Sequence, residues 1–375
     1  MRRSAALHAR RRYWSCLPPD EEYSMARTGN TAHFHARRRL LLGAGALAAL
    51  AACGGSGSST AVHVKDRQVA VAPGVSLHVR DWSAAPGSGG DADVIVLLAG
   101  LGANAHAFDS LAPALARRHR VLAITRRGYG QSGKPLPIGA ATYAPATLVA
   151  DLLAVLDALR IGRIILAGHS IAGNELTLFA GSHPRRVRGL VYLDTTFDYL
   201  ASGGYEEPEA TPFDEPPPGP ADLASLAASI AYAKRINKQW WPALEANWRD
   251  ALDLQPDGSV RPTTPPAIAR AMNMAAHDFS PDYRRVRAPA LVVTVDPGTL
   301  RNLFPWLLQS DPALQDEAQA TLEFVRPLRL ADGDRLAASL PDSHHLVIHN
   351  GFHSDFFIEY ENTVVDAIEA MRREA

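Results

Sequence analysis

From residue 61 onward, short apolar runs alternate with stretches whose apolar residues recur every three or four positions. Residues 94–99, 121–125, 163–168, 187–194, 290–295 and 346–349 are continuous or nearly continuous apolar runs, as strands covered on both faces require. Residues 75–82 instead alternate apolar and polar side chains, the pattern of a strand with one wet face. Helical patterns lie between these runs. The clearest is 145–159, where Leu148, Leu152, Val155, Leu156 and Leu159 share one face and Pro145 suits the first turn, where its missing N–H costs nothing. A last helix is predicted over 363–373. The alternation of strands and helices predicts an α/β chain with a mostly parallel sheet flanked by helices.

The alternation stops between about 196 and 286. This stretch begins with a Pro/Glu-rich segment, 206–220, whose end, Glu215 to Pro220, is expected to be a stiff linker. Helical patterns follow at 223–235, 240–252 and 266–276, and no strand-like run is evident. An insertion of about 90 residues after a sheet strand is better explained as a helical cap than as a structureless loop. No internal repeat is present.

Composition and charge refine this picture. Among 375 residues, 47% are apolar and 21% charged, which excludes global disorder. The net charge of −1 carries no nucleic-acid signature. That charge is unevenly distributed: residues 1–52 hold nine Arg, no Lys and three acids, a net of +6, which leaves 29 basic and 36 acidic residues, a net of −7, in the rest. Arg37, Arg38 and Arg39 precede a 13-residue apolar run, 40–52. A basic segment followed by an apolar run of this length is expected to be a secretory signal, and it falls short of the roughly 18 apolar residues needed to span a membrane.

That run ends Leu50-Ala51-Ala52-Cys53 and passes into a Gly/Ser stretch. The tetrad resembles the lipobox of bacterial lipoprotein signal peptides. The resemblance implies that Cys53 is acylated and becomes the mature N-terminus, with 53–60 as a flexible tether. The paired arginines also resemble a twin-arginine signal, so the export route, twin-arginine or general secretory, stays open. The implied location is the bacterial cell envelope, the chain facing the periplasm or the cell surface, with the lipid as its membrane contact. Residues 1–24, rich in Arg and carrying Pro18 and Pro19, do not suit a signal peptide; Met25 opens a leader of ordinary length, 25–52. The only two Cys, Cys16 and Cys53, lie outside 61–375, so that span has neither a disulfide framework nor a Cys-based metal site.

The residues that suggest chemistry lie in Leu166-Ala167-Gly168-His169-Ser170-Ile171-Ala172-Gly173. An apolar strand runs into Ser170 and a helix starts directly after it, with small residues two positions away on each side. A strand that turns sharply into a helix crowds these positions, so Gly168 and Ala172 are what allow a Ser with an exposed hydroxyl at the turn. Here the chain resembles the α/β-hydrolase superfamily over about 61–375, with Ala172 in place of the second Gly of that family's nucleophile motif. The resemblance implies an eight-stranded, mostly parallel sheet, the cap at 196–286 following the sixth strand, and Ser170 as nucleophile.

Other segments match the same family. Leu97-Leu98-Ala99-Gly100-Leu101-Gly102 follows the third strand, with Ala99 where relatives usually have His. An oxyanion hole needs only backbone N–H groups, and the resemblance points to those of Leu101 and Ile171. Arg126 to Ser132 matches the turn after the fourth strand; its glycines are structural, while Arg126 and Tyr129 could reach a pocket. The base should follow the last strand, which selects His353 over His344, His345 and His349. The acid stays open between Asp194, at the end of the sixth strand, and Asp296, at the end of the seventh.

Such a set implies acyl transfer through a covalent acyl-enzyme, with carboxylic ester hydrolysis of a small or medium acyl substrate as the expected reaction. No metal and no organic cofactor is implied. Ser at this turn disfavours haloalkane dehalogenase and epoxide hydrolase chemistry, since those relatives place Asp there. A peptidase or a C–C bond hydrolase of the same fold remains an alternative, as does a non-catalytic tethered binding protein, which Ala99 and the ambiguous acid would favour. Trp240, Trp241, Trp248 and Phe279 of the cap are expected to shape the pocket.

Overall fold

The computed structural model describes residues 62–84, 93–202, 211–307 and 310–374. The proposed leader, the tether, Cys16 and Cys53 lie outside these residues. Eight strands form one sheet: β1 (Val62–Ala72), β2 (Val75–Ala84), β3 (Val94–Leu98), β4 (Arg120–Ile124), β5 (Ile164–His169), β6 (Val187–Leu193), β9 (Ala290–Asp296) and β10 (Ser343–His349). They are ordered β1-β2-β4-β3-β5-β6-β9-β10. The pairs β1·β2 and β2·β4 are antiparallel and all others parallel. This is the α/β-hydrolase fold. β1 was not evident in the sequence: its residues are mostly exposed, and little apolar periodicity marks an edge strand of that kind.

The long helices are α1 (Pro145–Ala158), α2 (Gly173–Ser182), α3 (Leu226–Ile236), α4 (Pro242–Asp250), α5 (Pro266–His277), α6 (Pro312–Ala338) and α7 (Glu361–Glu374). Because successive strand residues point to opposite faces, the parallel strands contribute to two separate cores. Val96, Leu122, Leu166, Leu190 and Val292 pack with α1, α2 and the end of α6. Their neighbours Ile95, Leu97, Ile165, Val191 and Val293 pack against Leu111, Leu115, Phe356, Phe357 and α7. Continuous apolar runs in the sequence thus correspond to a sheet covered on both sides.

Between β6 and β9 lie α3, α4 and α5, together with a small hairpin of β7 (Leu252–Leu254) and β8 (Val260–Pro262). The hairpin corrects the strand-free reading of this segment; three-residue strands carry too little periodicity to be seen. A second insertion, between β9 and β10, also had no counterpart in the sequence reading. It holds short helical turns at Leu300–Leu303 and Pro305–Leu307 and then the 27-residue α6. Phe213 from the first insertion packs with Leu303, Phe304, Leu307, Leu322 and Val325 of the second, so the two insertions share a small core of their own.

α6 begins with Pro312 after Asp311, whose carboxylate caps the N–H of Ala313 at 2.7 Å. Pro327 and Gly333 lie within it, which explains why propensity did not reveal it. Gly333 is required by close approach to β9: a Cβ there would lie 2.0 Å from Thr294 Oγ1.

Candidate active site

Adjacent parallel strands end on the same side of a sheet, and the loops leaving them form a crevice there. That geometry gathers the segments after β3, β4, β5, β6, β9 and β10 at one edge. Ser170 follows β5 directly, then a single 3₁₀ turn, Ser170–Ala172, leads into α2. Its φ is +55°, in the left-handed region that costs a non-glycine residue energy. Small neighbours make the turn possible: a Cβ on Gly168 would lie 2.7 Å from Ala172 Cβ and 2.4 Å from Leu176 Cδ1.

The loop after β3 lies against this turn. A Cβ built on Gly100 would come within 3.3 Å of Ser170 Cβ and 2.8 Å of His169 Nδ1, so the loop that carries Leu101 passes close to the serine at Gly100, and Ile171 is the next residue after the serine. Arg126 braces the loop. Its Nη1 donates to the carbonyl of Ala99 and, at 3.4 Å, to that of Gly100, while its Nε donates to Glu175 Oε1 at 2.6 Å. A buried arginine therefore supports the loop at Ala99 and Gly100. Arg127 is structural by comparison, bidentate on Asp151 at 2.5 and 2.6 Å.

His353 follows β10, and its Nδ1 donates to Asp194 Oδ2 at 2.5 Å. Asp194 has φ +51°, accepts from the Val295 N–H through Oδ1 at 2.9 Å, and accepts a further bond from Arg329 Nη2 on Oδ2. Burial alone would raise its carboxyl pKa, but Arg329, the His353 bond and the Val295 N–H outweigh that effect and hold it well below the usual range. Asp296 has different partners: Arg326 donates to both its oxygens at 2.7 and 2.8 Å, and His349 Nδ1 donates at 3.0 Å. The Arg326 bond, opposed by burial and aided by His349, brings its pKa down to about 2. Of the two acids left open by the sequence, Asp194 meets His353 and Asp296 does not. His344 pairs with Glu374, and His345 with Thr294 and Asp334, so the competing histidines are engaged elsewhere.

His169 links these parts. Its Nε2 lies 2.9 Å from the His353 carbonyl and its ring centroid 4.6 Å from that of His353. Burial, reinforced by the charge of His353, pushes its pKa down to about 3, so the ring is neutral, and a carbonyl partner assigns the proton to Nε2.

Ser170, Asp194 and His353 line a cavity of about 360 Å³. Tyr199, Ile236, Leu303, Trp306 and Phe352 supply its apolar wall; Asn237, Asn302 and Arg329 supply polar groups. A more open cleft of about 640 Å³ beside Trp241 and Tyr360 contains neither Ser170 nor His353. The expected pocket aromatics are corrected here: none of the four lines the serine's cavity. Trp240 donates to Glu245, Trp241 to Asp355 and Trp248 to Ser229, while Phe279 is simply absent from the lining. Trp306 and Arg329, both from the second insertion, were not singled out by sequence. Among the described residues no cluster of His, Cys, Asp or Glu is arranged to hold a metal, and no helix is long and apolar enough to cross a membrane.

Comparison with known proteins bears on the fold. The family model described as alpha/beta hydrolase fold matches residues 93–224. The chain is similar to 2-(acetamidomethylene)succinate hydrolase of Mesorhizobium japonicum, 28% identical over 58% of this chain and 73% of that protein. It is also similar to a fluoroacetate dehalogenase from a Burkholderia species, 24% identical over 62% of this chain and 81% of that protein. The crystal structure of an E-2-(acetamidomethylene)succinate hydrolase superposes with a TM-score of 0.57 at 21% identity, covering 82% of this chain and 99% of that one.

Proposed function

From an α/β-hydrolase fold, with membership of that superfamily supported by the family model and the structural neighbours, we propose that this protein is a serine hydrolase cleaving small or medium carboxylic esters through an acyl-enzyme. The observation that carries the reading is one cavity lined both by Ser170 on its strained turn and by a His353 that is hydrogen-bonded to Asp194. Hydrolysis as such is supported by the relatives' names. The dehalogenase among them is the weaker guide, because the α/β-hydrolase resemblance makes a Ser at this turn, Ser170, a poor fit to dehalogenase chemistry.

In this reading Ser170 Oγ attacks the ester carbonyl while His353 Nε2 takes its proton, leaving Nδ1 bonded to Asp194. The buried Asp194 carboxylate keeps the proton of the neutral ring on Nδ1 and stabilises the imidazolium that forms. The N–H groups of Leu101 and Ile171 hold the tetrahedral oxyanion, and Arg126 keeps the loop before Leu101 in place. His353 then passes its proton to the leaving alkoxide, and water, deprotonated by the same ring, releases the acid. A cavity of about 360 Å³ lies at the small end of ligand pockets and suits short or medium acyl groups.

The expected result with p-nitrophenyl esters from acetate to palmitate is a kcat/KM that peaks at short or medium acyl length and falls away for the longest chains. Uniform inactivity across the panel would refute the ester assignment.

Lipid anchoring belongs to the same proposal, since the tetrad ending at Cys53 follows a signal-like run. Each buried methylene adds about 0.8 kcal/mol of membrane affinity, so a single chain binds reversibly and two or more hold firmly. Wild-type protein should therefore fractionate with membranes and Cys53→Ala should not. A wild-type mature N-terminus mapped away from residue 53 would contradict the anchor.

A further inference from the structure

α6 carries Arg326 and Arg329 one turn apart, and each meets an acid at the end of a neighbouring strand. Arg326 takes Asp296, at the end of β9, and Asp296 takes His349. Arg329 takes Asp194, just past β6, and Asp194 takes His353. The chain thus holds two Arg–Asp–His sets side by side. The first faces solvent, its His349 side chain 66% exposed. The second lies in the cavity with Ser170.

Arg329 is anchored independently of the acid: its Nε donates to the Val295 carbonyl at 3.2 Å, and α6 is pressed against β9 at Gly333. A guanidinium fixed this way does two things to Asp194. It occupies the same oxygen that His353 uses, while the Val295 N–H occupies the other, so the carboxylate cannot rotate. It also places a positive charge one carboxylate oxygen away from the imidazole, where it opposes a second positive charge on the ring.

We infer that Arg329 is a positioning residue, which fixes Asp194 against His353 and opposes charging of the imidazole, so that the proton-accepting ring persists to lower pH than an Asp–His pair alone would allow. The inference rests on His353 acting as the base. Other charged or titratable groups face the same ring or the same cavity. His169 from β5 is neutral through burial, with Arg126 beside it. Asp332 stands on α6 near Arg329, its carboxyl raised to about 6 by burial, and Glu215 lies on the cavity wall. Asp355 is two residues further along the loop, bonded to Trp241. The nearby acids favour imidazolium, and Arg329 is the cation bonded to the carboxylate that His353 uses.

The test is a nuclear magnetic resonance titration of ring-labelled histidine in the full chain, with the His353 signal assigned by its loss in His353→Gln. Removing the cation should raise the His353 midpoint by about one pH unit in Arg329→Gln, and Arg329→Lys should keep it near wild type. The acidic limb of kcat/KM for an ester should move up by the same amount, so activity near pH 6 falls more than activity at pH 8. Arg329→Met retains the apolar stem and serves as a second charge-removing variant if Arg329→Gln does not fold.

An unmoved midpoint in a folded charge-removing variant would overturn the inference. So would an equal shift in Arg329→Lys, or a wild-type limb that disappears in Asp332→Asn. The titration needs no substrate, so its outcome stands apart from the success or failure of the ester reading.

Discussion

Ser170→Ala is expected to reduce ester turnover by about 10⁴-fold or more while the protein stays folded, because loss of a triad nucleophile removes the covalent route entirely. The fold should tolerate the change. Ser170 already pays the steric cost of φ +55° with a Cβ, and Ala carries the same Cβ, so only the hydroxyl is lost. The crowding that shapes the turn involves Gly168 and Ala172, which the substitution leaves untouched. Circular dichroism and a thermal melt should match wild type while kcat collapses. Turnover close to wild type in a folded variant would remove Ser170 from the mechanism.

The two strand-end acids should separate almost as widely. Asp194→Asn is expected to lower kcat by about 10⁴-fold, since an amide in place of the carboxylate favours the wrong ring tautomer and no longer balances the imidazolium. It would also leave Arg329 facing a neutral group. Asp296→Asn is expected to leave turnover near wild type and to cost stability instead, because Asp296 is 2% exposed and serves Arg326 and His349, none of which lines the serine's cavity. Steady-state kinetics and denaturant melts on both variants decide the matter. A larger kinetic loss at Asp296 than at Asp194 would reverse the assignment.

That assignment marks the limit of what could be read in the sequence. The sheet and its flanking helices were legible because strands buried on both faces leave continuous apolar runs, as in β3, β5 and β9. The turn at Ser170 was legible because its steric demand falls on residues two positions away, so it is written locally. The choice between Asp194 and Asp296 is not local. Both end a parallel strand and both take an arginine from α6; what distinguishes them is the histidine each meets, His353, 159 residues after Asp194, and His349, 53 residues after Asp296. α6 itself was hidden by Pro327 and Gly333, residues that disfavour helix on propensity but are tolerated here, Gly333 because β9 passes so close. The cap aromatics failed as pocket predictors for a related reason. Trp240, Trp241 and Trp248 each carry an N–H that finds a partner within or beneath the cap, and nothing in their spacing tells which side of a helix meets the cavity.

The most direct measurement of the central claim is to treat the full chain with a fluorophosphonate and map the modified residue by tandem mass spectrometry. An activated serine beside its base attacks such phosphorus centres and keeps the adduct. The expected result is one phosphonylated residue, Ser170, formed with loss of ester turnover and absent from Ser170→Ala. An adduct at another residue that abolishes turnover, or full turnover with Ser170 completely modified, would contradict the account.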